Sequence, residues 1–283
     1  MPKKRVAINL ARDSACYYEY IGKSKEDKAV ADWIDARVKG LVKPNGQPIR
    51  ILGIGSGNGV KDARIAEKVS QKCGQVYNCS VEPDKNSVEE FQKLVVNKIE
   101  LAQVQFDFKT QTEEDYRKSG EAAKFDLIHM LMVLYAVDDI ESTIIDYYNN
   151  YLKPGGAMVI MMEHEQNIRS KVVERYAPLL PKYENAYMNG NANGKTIEDI
   201  LKKRGFNYRR TTLPSTVSLH VGCDHECGKS CGLLLDFITG VDSTSEKTPD
   251  VVTEFVAKGK ASIQKGDKVT VNYDLAAFVI ESQ

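Results

Sequence analysis

The stretch Ile49-Arg50-Ile51-Leu52-Gly53-Ile54-Gly55-Ser56-Gly57-Asn58-Gly59 leaves this chain few ways to fold. An apolar run stops in four glycines at alternate positions, and Ala63, Ile65, Ala66 and Val69 then recur at helical spacing. Lys61, Asp62, Arg64, Glu67 and Lys68 stand between them. The pattern predicts a buried strand, a tight turn and a helix. Without a Cβ, the glycine backbone can take positive φ and lie against a ligand. The start of the helix offers unpaired N–H groups. Such a turn is a candidate nucleotide cradle, and alone it does not say which nucleotide.

Strand and helix patterns then alternate. A helix is expected over 25–39, capped by Ser24 or a neighbour and closed by Gly40 and Pro44-Asn45-Gly46. Further strands are expected over 75–81, 102–108, 125–130 and 157–162. Ser87-Val88-Glu89-Glu90 has capping-box form ahead of a helix carrying Phe91, Leu94 and Val95. Asp138 or Asp139 starts another helix, and Leu152-Lys153-Pro154-Gly155-Gly156 reads as a turn. Shorter helices are expected over 169–176, 196–204 and 248–258, then closing strands over 268–273 and 275–281, the last antiparallel. The fold class is α/β: a mostly parallel sheet, seven strands in all, with helices on both faces and a smaller substrate-covering lid. Residues 1–45 form a helical cover, and 46–283 form the core, with lid insertions at about 165–195 and 220–262. Ligands of such sheets bind beyond the carboxyl ends of the strands. The glycine turn, Glu82 and Met130-Leu131-Met132 all fall there.

Composition excludes several classes. The 283 residues are 42% hydrophobic and 28% charged, and Lys plus Arg equals Asp plus Glu at 39 each. No global charge points to nucleic acid or a membrane surface. Met1-Pro2-Lys3-Lys4-Arg5 lacks the apolar core of a signal peptide, and no apolar run nears the ~18 residues that span a bilayer. A cytoplasmic protein is expected, with no nucleic-acid or membrane partner.

Glu82 ends the second strand, where nucleotide-binding sheets hold both hydroxyls of a ribose on one carboxylate. With the glycine turn this reads as an adenosyl ribose site. Three details favour a methyl donor over a dinucleotide. The glycines are two apart, without the three-residue step of the dinucleotide fingerprint. Phe125-Asp126-Leu127-Ile128 opens the fourth strand, and Leu152-Lys153-Pro154-Gly155-Gly156 precedes the fifth. The combination resembles the class I S-adenosylmethionine-dependent methyltransferases. Val81-Glu82-Pro83, Ile128 to Ile140 and Leu234-Leu235-Asp236-Phe237-Ile238-Thr239 resemble, more closely, the histamine N-methyltransferase family. The similarity runs from about Tyr17 to Glu281.

That resemblance implies S-adenosylmethionine as cofactor, held by Gly53, Gly55, Gly57, Glu82, Thr112, Glu113 and Leu131. Ser87 stands where the family has a cofactor-contacting glutamine, though it also reads as a helix cap. On the acceptor side the resemblance implies Glu26, with Tyr17, Tyr135 and Phe237 as aromatic walls. Two family positions differ: Met132 replaces a glutamine and Tyr273 an asparagine, with Asn272 adjacent. Arg169, Val173 and Leu180 stand where bulky aromatics are expected. A methionine cannot reproduce the two-sided bonding of an amide, and a site built for such bonds discriminates by them. The differences argue against histamine itself as acceptor. Arg169 reads either as a carboxylate clamp or as a solvated helix residue.

Methyl transfer needs no dedicated acid or base, so no catalytic residue is assigned; proximity and orientation suffice. His129 reads as a core histidine, and His164 is a lesser candidate base. Cys223, His225, Cys227 and Cys231 have zinc's ligand types but not its usual spacing, and no metal site is assigned. The reading is a monomeric N-methyltransferase acting on a small amine. An amino-acid or imidazole-dipeptide N-methyltransferase, a thiol methyltransferase and a non-catalytic adenosyl- or zinc-binding regulator are the alternatives.

Overall fold

The structure is a computed structural model, and it describes residues 10–120, 123–176, 192–220, 232–238, 255–256, 262–265 and 268–282. In chain order the elements are α1 (Leu10–Lys23), α2 (Glu26–Leu41), β1 (Ile49–Ile54), α3 (Val60–Cys73), β2 (Val76–Val81) and α4 (Lys85–Val96). Then come β3 (Val104–Lys109), α5 (Glu113–Lys118), β4 (Phe125–Leu131), α6 (Ile140–Asp146), β5 (Leu152–Glu163) and α7 (Ile168–Tyr176). The chain closes with α8 (Gly194–Lys203), β6 (Tyr208–Leu213), β7 (Thr216–His220), β8 (Ser262–Lys265), β9 (Lys268–Asn272) and β10 (Leu275–Glu281).

Seven strands form one sheet in the order β3-β2-β1-β4-β5-β10-β6. Strands β1 to β5 pair in parallel, with Gly53 opposite Ser80 on one side and His129 on the other. Ser282 N–H donates to Gly156 O at 2.9 Å and His164 N–H to Asp274 O at 2.9 Å, so β10 runs antiparallel to β5. The order reverses at β1 and β4, and the carboxyl ends there are the crevice in which such sheets bind ligands. β1, β2 and β4 are buried nearly throughout, as strands covered on both faces must be.

The chain divides into two compact units. The core unit comprises residues 30–162, 197–211 and 277–283; the second comprises 1–29, 163–196 and 212–276. The second unit has its own apolar core, in which Tyr20, Ile168, Val172, Val217, Leu234, Ile238, Val271 and Tyr273 are buried together. Its sheet is antiparallel, in the order β7-β9-β8.

Three local readings need correction. The helix after β2 is capped by Asp84, whose carboxylate accepts the Ser87 N–H at 2.8 Å and its hydroxyl at 2.7 Å. Ser87 therefore lies inside the first turn. Leu152 to Gly156 is a bulge within β5 rather than a turn before it: the register jumps from Phe125–Leu152 to Leu127–Ala157, with Gly155 at φ 72°. Asp62, assigned to the polar side of α3, is buried. Helices α5 and α6 start at Thr112 and Asp139, each side chain accepting a first-turn N–H. The helix expected over 248–258 lies outside the described residues except for 255–256.

Candidate active site

The turn after β1 carries positive φ at Gly55 (67°), Gly57 (54°) and Gly59 (75°). Its glycines serve different ends. A Cβ on Gly59 would fall 1.9 Å from the Phe91 ring, and one on Gly55 would fall 2.3 Å from a Val133 methyl. A Cβ on Gly53 would stand 2.1 Å from Asp62 Oδ1. These three are glycines because the protein's own side chains fill the space. Around Gly57 no heavy atom lies within 4 Å of a Cβ position, so the turn is open there.

Glu82, just past β2, closes this turn. Its Oε2 accepts the Gly57 N–H at 2.9 Å and its Oε1 accepts the Asp84 N–H at 2.9 Å. Burial pushes its carboxyl above the ordinary glutamate value, and the two N–H bonds pull it part of the way back. Each oxygen keeps a lone pair beyond those bonds. An open glycine turn beside a carboxylate with spare acceptor capacity fits the hydroxyls of an adenosyl ribose. Leu131 is buried at the end of β4. Thr112 is committed as the α5 cap, and Glu113 pairs with Arg117 while burial raises its carboxyl. Met132 has φ 55°, the one positive value at a non-glycine among the described residues, and its N–H donates to Met161 O at 2.8 Å. Tyr135 is half-buried in the 3₁₀ turn that follows β4.

The second unit gathers most of the expected acceptor residues. Glu26, at the start of α2, is 3% exposed and accepts the Tyr20 hydroxyl at 2.5 Å. Tyr20 stacks on Phe237 with ring centroids 4.1 Å apart, and Tyr273 lies against Tyr20 at 4.8 Å. Tyr273 is fully buried, and its hydroxyl donates to Glu163 Oε1 at 3.0 Å. Arg169 donates to the same oxygen at 3.2 Å, and its guanidinium lies 5.5 Å from the Phe237 centroid. Tyr17, at 45% exposure, is near Phe237 at its edge. The expected set thus falls into two groups: Gly53, Gly55, Gly57, Glu82, Leu131, Met132 and Tyr135 in the core unit, and Tyr17, Glu26, Arg169, Phe237 and Tyr273 in the second. Cys223, His225, Cys227, Cys231 and Leu180 lie outside the described residues.

Sequence reasoning missed Glu163 and Tyr20, the partners of Arg169, Tyr273 and Glu26. Glu163 carried a signal, since it ends a buried strand as Glu82 does. It also missed Asp62 beneath the turn. Asp62, Ile65, Ala66 and Val69 share one helical stripe, so a carboxylate stood on the apolar face. His129 is 1% exposed with its Nε2 3.5 Å from Asp62 Oδ1, and burial holds it toward the neutral form. His164 accepts the Gln166 N–H at Nδ1.

A sheet of this order, with a glycine turn and an acidic residue at the ends of its first two strands, defines a class I methyltransferase. A family model described as a methyltransferase domain matches residues 24–211, and the chain belongs to that family. S-adenosylmethionine is its methyl donor. The chain is similar to histamine N-methyltransferase of Bos taurus, 26% identical with 97% of this chain and 98% of the relative covered. It is also similar to carnosine N-methyltransferase 2 of Gallus gallus, 25% identical over 83% of this chain and 74% of the relative. Among solved structures, a plantazolicin methyltransferase BpumL complex shares the fold at TM-score 0.50 and 12% identity, covering 95% of this chain and 90% of that one. A sarcosine dimethylglycine methyltransferase homologue from Galdieria sulphuraria does so at TM-score 0.50 and 13% identity, covering 89% and 85%.

Proposed function

We propose that the protein transfers a methyl group from S-adenosylmethionine to nitrogen on a small amine. The Glu82–Gly57 bond at the carboxyl ends of β1 and β2 carries the donor half. Glu82 and the open turn at Gly57 would hold the ribose, with Leu131 beside them. When bound, the cofactor supplies a sulfonium methyl that is already electrophilic. The chain's part is to hold a neutral nitrogen lone pair in line at about 3 Å and to exclude water.

The amine half is supported by nearly full-length similarity to the bovine histamine enzyme and by the charge of the second unit's cluster. Glu26 accepts the Tyr20 hydroxyl there, and Glu163 accepts both the Tyr273 hydroxyl and an Arg169 N–H, with Phe237 stacked on Tyr20. Acidic groups among aromatic rings suit a cationic end of the acceptor. We assign its anchoring to Glu26. The Arg169–Glu163 ion pair counts against a carboxylate clamp, since that guanidinium already faces a carboxylate. The proposal extends to a monomeric, cytoplasmic enzyme on the strength of the resemblance alone; size-exclusion with light scattering checks the first part. No helix among the described residues is long and apolar enough to cross a membrane.

Turnover on histamine, histidine, imidazole dipeptides, aliphatic amines and thiols is the deciding experiment. An amine should be methylated at nitrogen, and histamine poorly, because Met132 and Tyr273 lack amide groups. Methylation of thiols alone, or efficient histamine turnover, overturns this reading of the acceptor side. Failure to bind either the cofactor or S-adenosylhomocysteine overturns the donor side.

A further inference from the structure

Beneath the glycine turn lies a buried polar set that methyl transfer does not use. Asp62 is 2% exposed on α3 and His129 is 1% exposed on β4. Burying an acid and an imidazole costs free energy, and an apolar pair of similar volume is often as stable or more so. A polar set retained in such a place is held by what it touches.

Asp62 touches the turn. Its Oδ1 accepts the Ser56 hydroxyl at 2.7 Å, and that same hydroxyl lies 3.4 Å from Gly53 O. The carboxylate occupies the place of a Gly53 Cβ, which explains the glycine near the end of β1. Ser56 sits between Gly55 and Gly57, both at positive φ; glycine backbone is free to take many conformations, so contacts from outside the turn must select this one. From the β2 side the turn is held by Gly55 N–H and Ser56 N–H, which donate to Val81 O at 2.9 and 3.3 Å. From below, the Ser56 hydroxyl ties the turn to Asp62. The next residue, Gly57, presents the N–H that orients Glu82.

We propose that Asp62, acting through Ser56, is a positioning residue that fixes the 53–57 turn in the form that presents Gly57 to Glu82 and to the methyl donor. The inference rests on the assignment of this turn to the cofactor. His129, 3.5 Å from the same oxygen, backs the carboxylate from β4. Asp62 touches no substrate in this scheme; it acts on cofactor affinity by holding the turn.

The test uses the full chain, titration with S-adenosylhomocysteine, and thermal unfolding without ligand, on Ser56→Ala, Asp62→Ala, Asp62→Asn and the double Ser56→Ala/Asp62→Ala. Losing a hydrogen bond to a buried carboxylate should weaken binding about tenfold in each alanine variant. The double variant should bind no more weakly than the worse single one, because one bond is removed in both. Asp62→Asn keeps an acceptor oxygen and should recover most of the affinity. Unligated Ser56→Ala should melt close to wild type. Affinities within twofold of wild type, or losses that add in the double variant, overturn the inference. If Asp62→Ala does not fold, Ser56→Ala decides, since its side chain is only half-buried. Wild-type protein that fails to bind, or Glu82→Ala that binds unchanged, overturns the donor-site assignment instead.

Discussion

Glu82 is asked to do two things that differ in pH. Burial raises its carboxyl in the folded protein, so the folded state holds a proton more tightly than the unfolded chain, where a glutamate titrates near about 4.3. As pH falls through the window between the raised folded value and the unfolded one, Glu82 therefore contributes a gain in stability of the free protein. A ribose needs the ionised double acceptor, so affinity for S-adenosylhomocysteine should fall over that same window. Titration calorimetry from neutral to acid pH checks this. In Glu82→Gln the acid-linked loss of affinity should be absent apart from what Asp62, also raised by burial, contributes. Met132 poses a second question at this scale. Left-handed backbone costs a non-glycine roughly 1–2 kcal/mol, and Met132 holds it immediately after β4. Met132→Gly removes that cost but loosens the unfolded chain. A net gain of about 0.5–1 kcal/mol in urea unfolding is expected, with cofactor affinity unchanged. A loss of stability instead would mean that packing of the methionine side chain outweighs the strain.

At the scale of elements, legibility followed burial. β1, β2 and β4 are covered on both faces, and their unbroken apolar runs stand out in the sequence. β6, Tyr-Arg-Arg-Thr-Thr-Leu, is the outermost strand of its sheet and largely polar, so no hydrophobic signal marks it. β7 and β8 belong to the small antiparallel sheet and flank the insertion expected at about 220–262, and no strand is expected at either place. Helix α4 shows how a correct motif can be set in the wrong place. Ser87 and Glu90 match the capping box, but Asp84 is the residue that accepts the first-turn bonds. Asp84→Ala should destabilise the protein by about 1 kcal/mol, as lost caps do, whereas Ser87→Ala should cost little. Equal losses from the two variants in urea unfolding would restore Ser87 as the cap. The site followed the same rule. Glycines and Glu82 are legible because their spacing carries the chemistry, while the Tyr273–Glu163 contact joins residues 110 positions apart and no local pattern records it.

At the scale of the whole molecule, the two units are each assembled from three separate stretches of chain, so neither can be cut out as a continuous piece. The residues proposed to hold the donor all lie in the core unit, and a ligand that binds only folded protein stabilises what it binds. S-adenosylhomocysteine at a hundred times its dissociation constant should add about 2.7 kcal/mol to the core unit. For a unit of this size that is a rise of roughly 5–10 °C in melting temperature. Glu82→Ala should show a smaller rise at the same ligand concentration, because less of it is saturated. If the units unfold together, scanning calorimetry will show one transition that moves as a whole. If they unfold apart, only the transition of the core unit will move, and the other will mark residues 1–29, 163–196 and 212–276. An amine acceptor added without cofactor should then shift that second transition, since Glu26, Arg169, Phe237 and Tyr273 all belong to it. A shift of the core transition by the acceptor alone would place its main contacts at Met132 and Tyr135 instead.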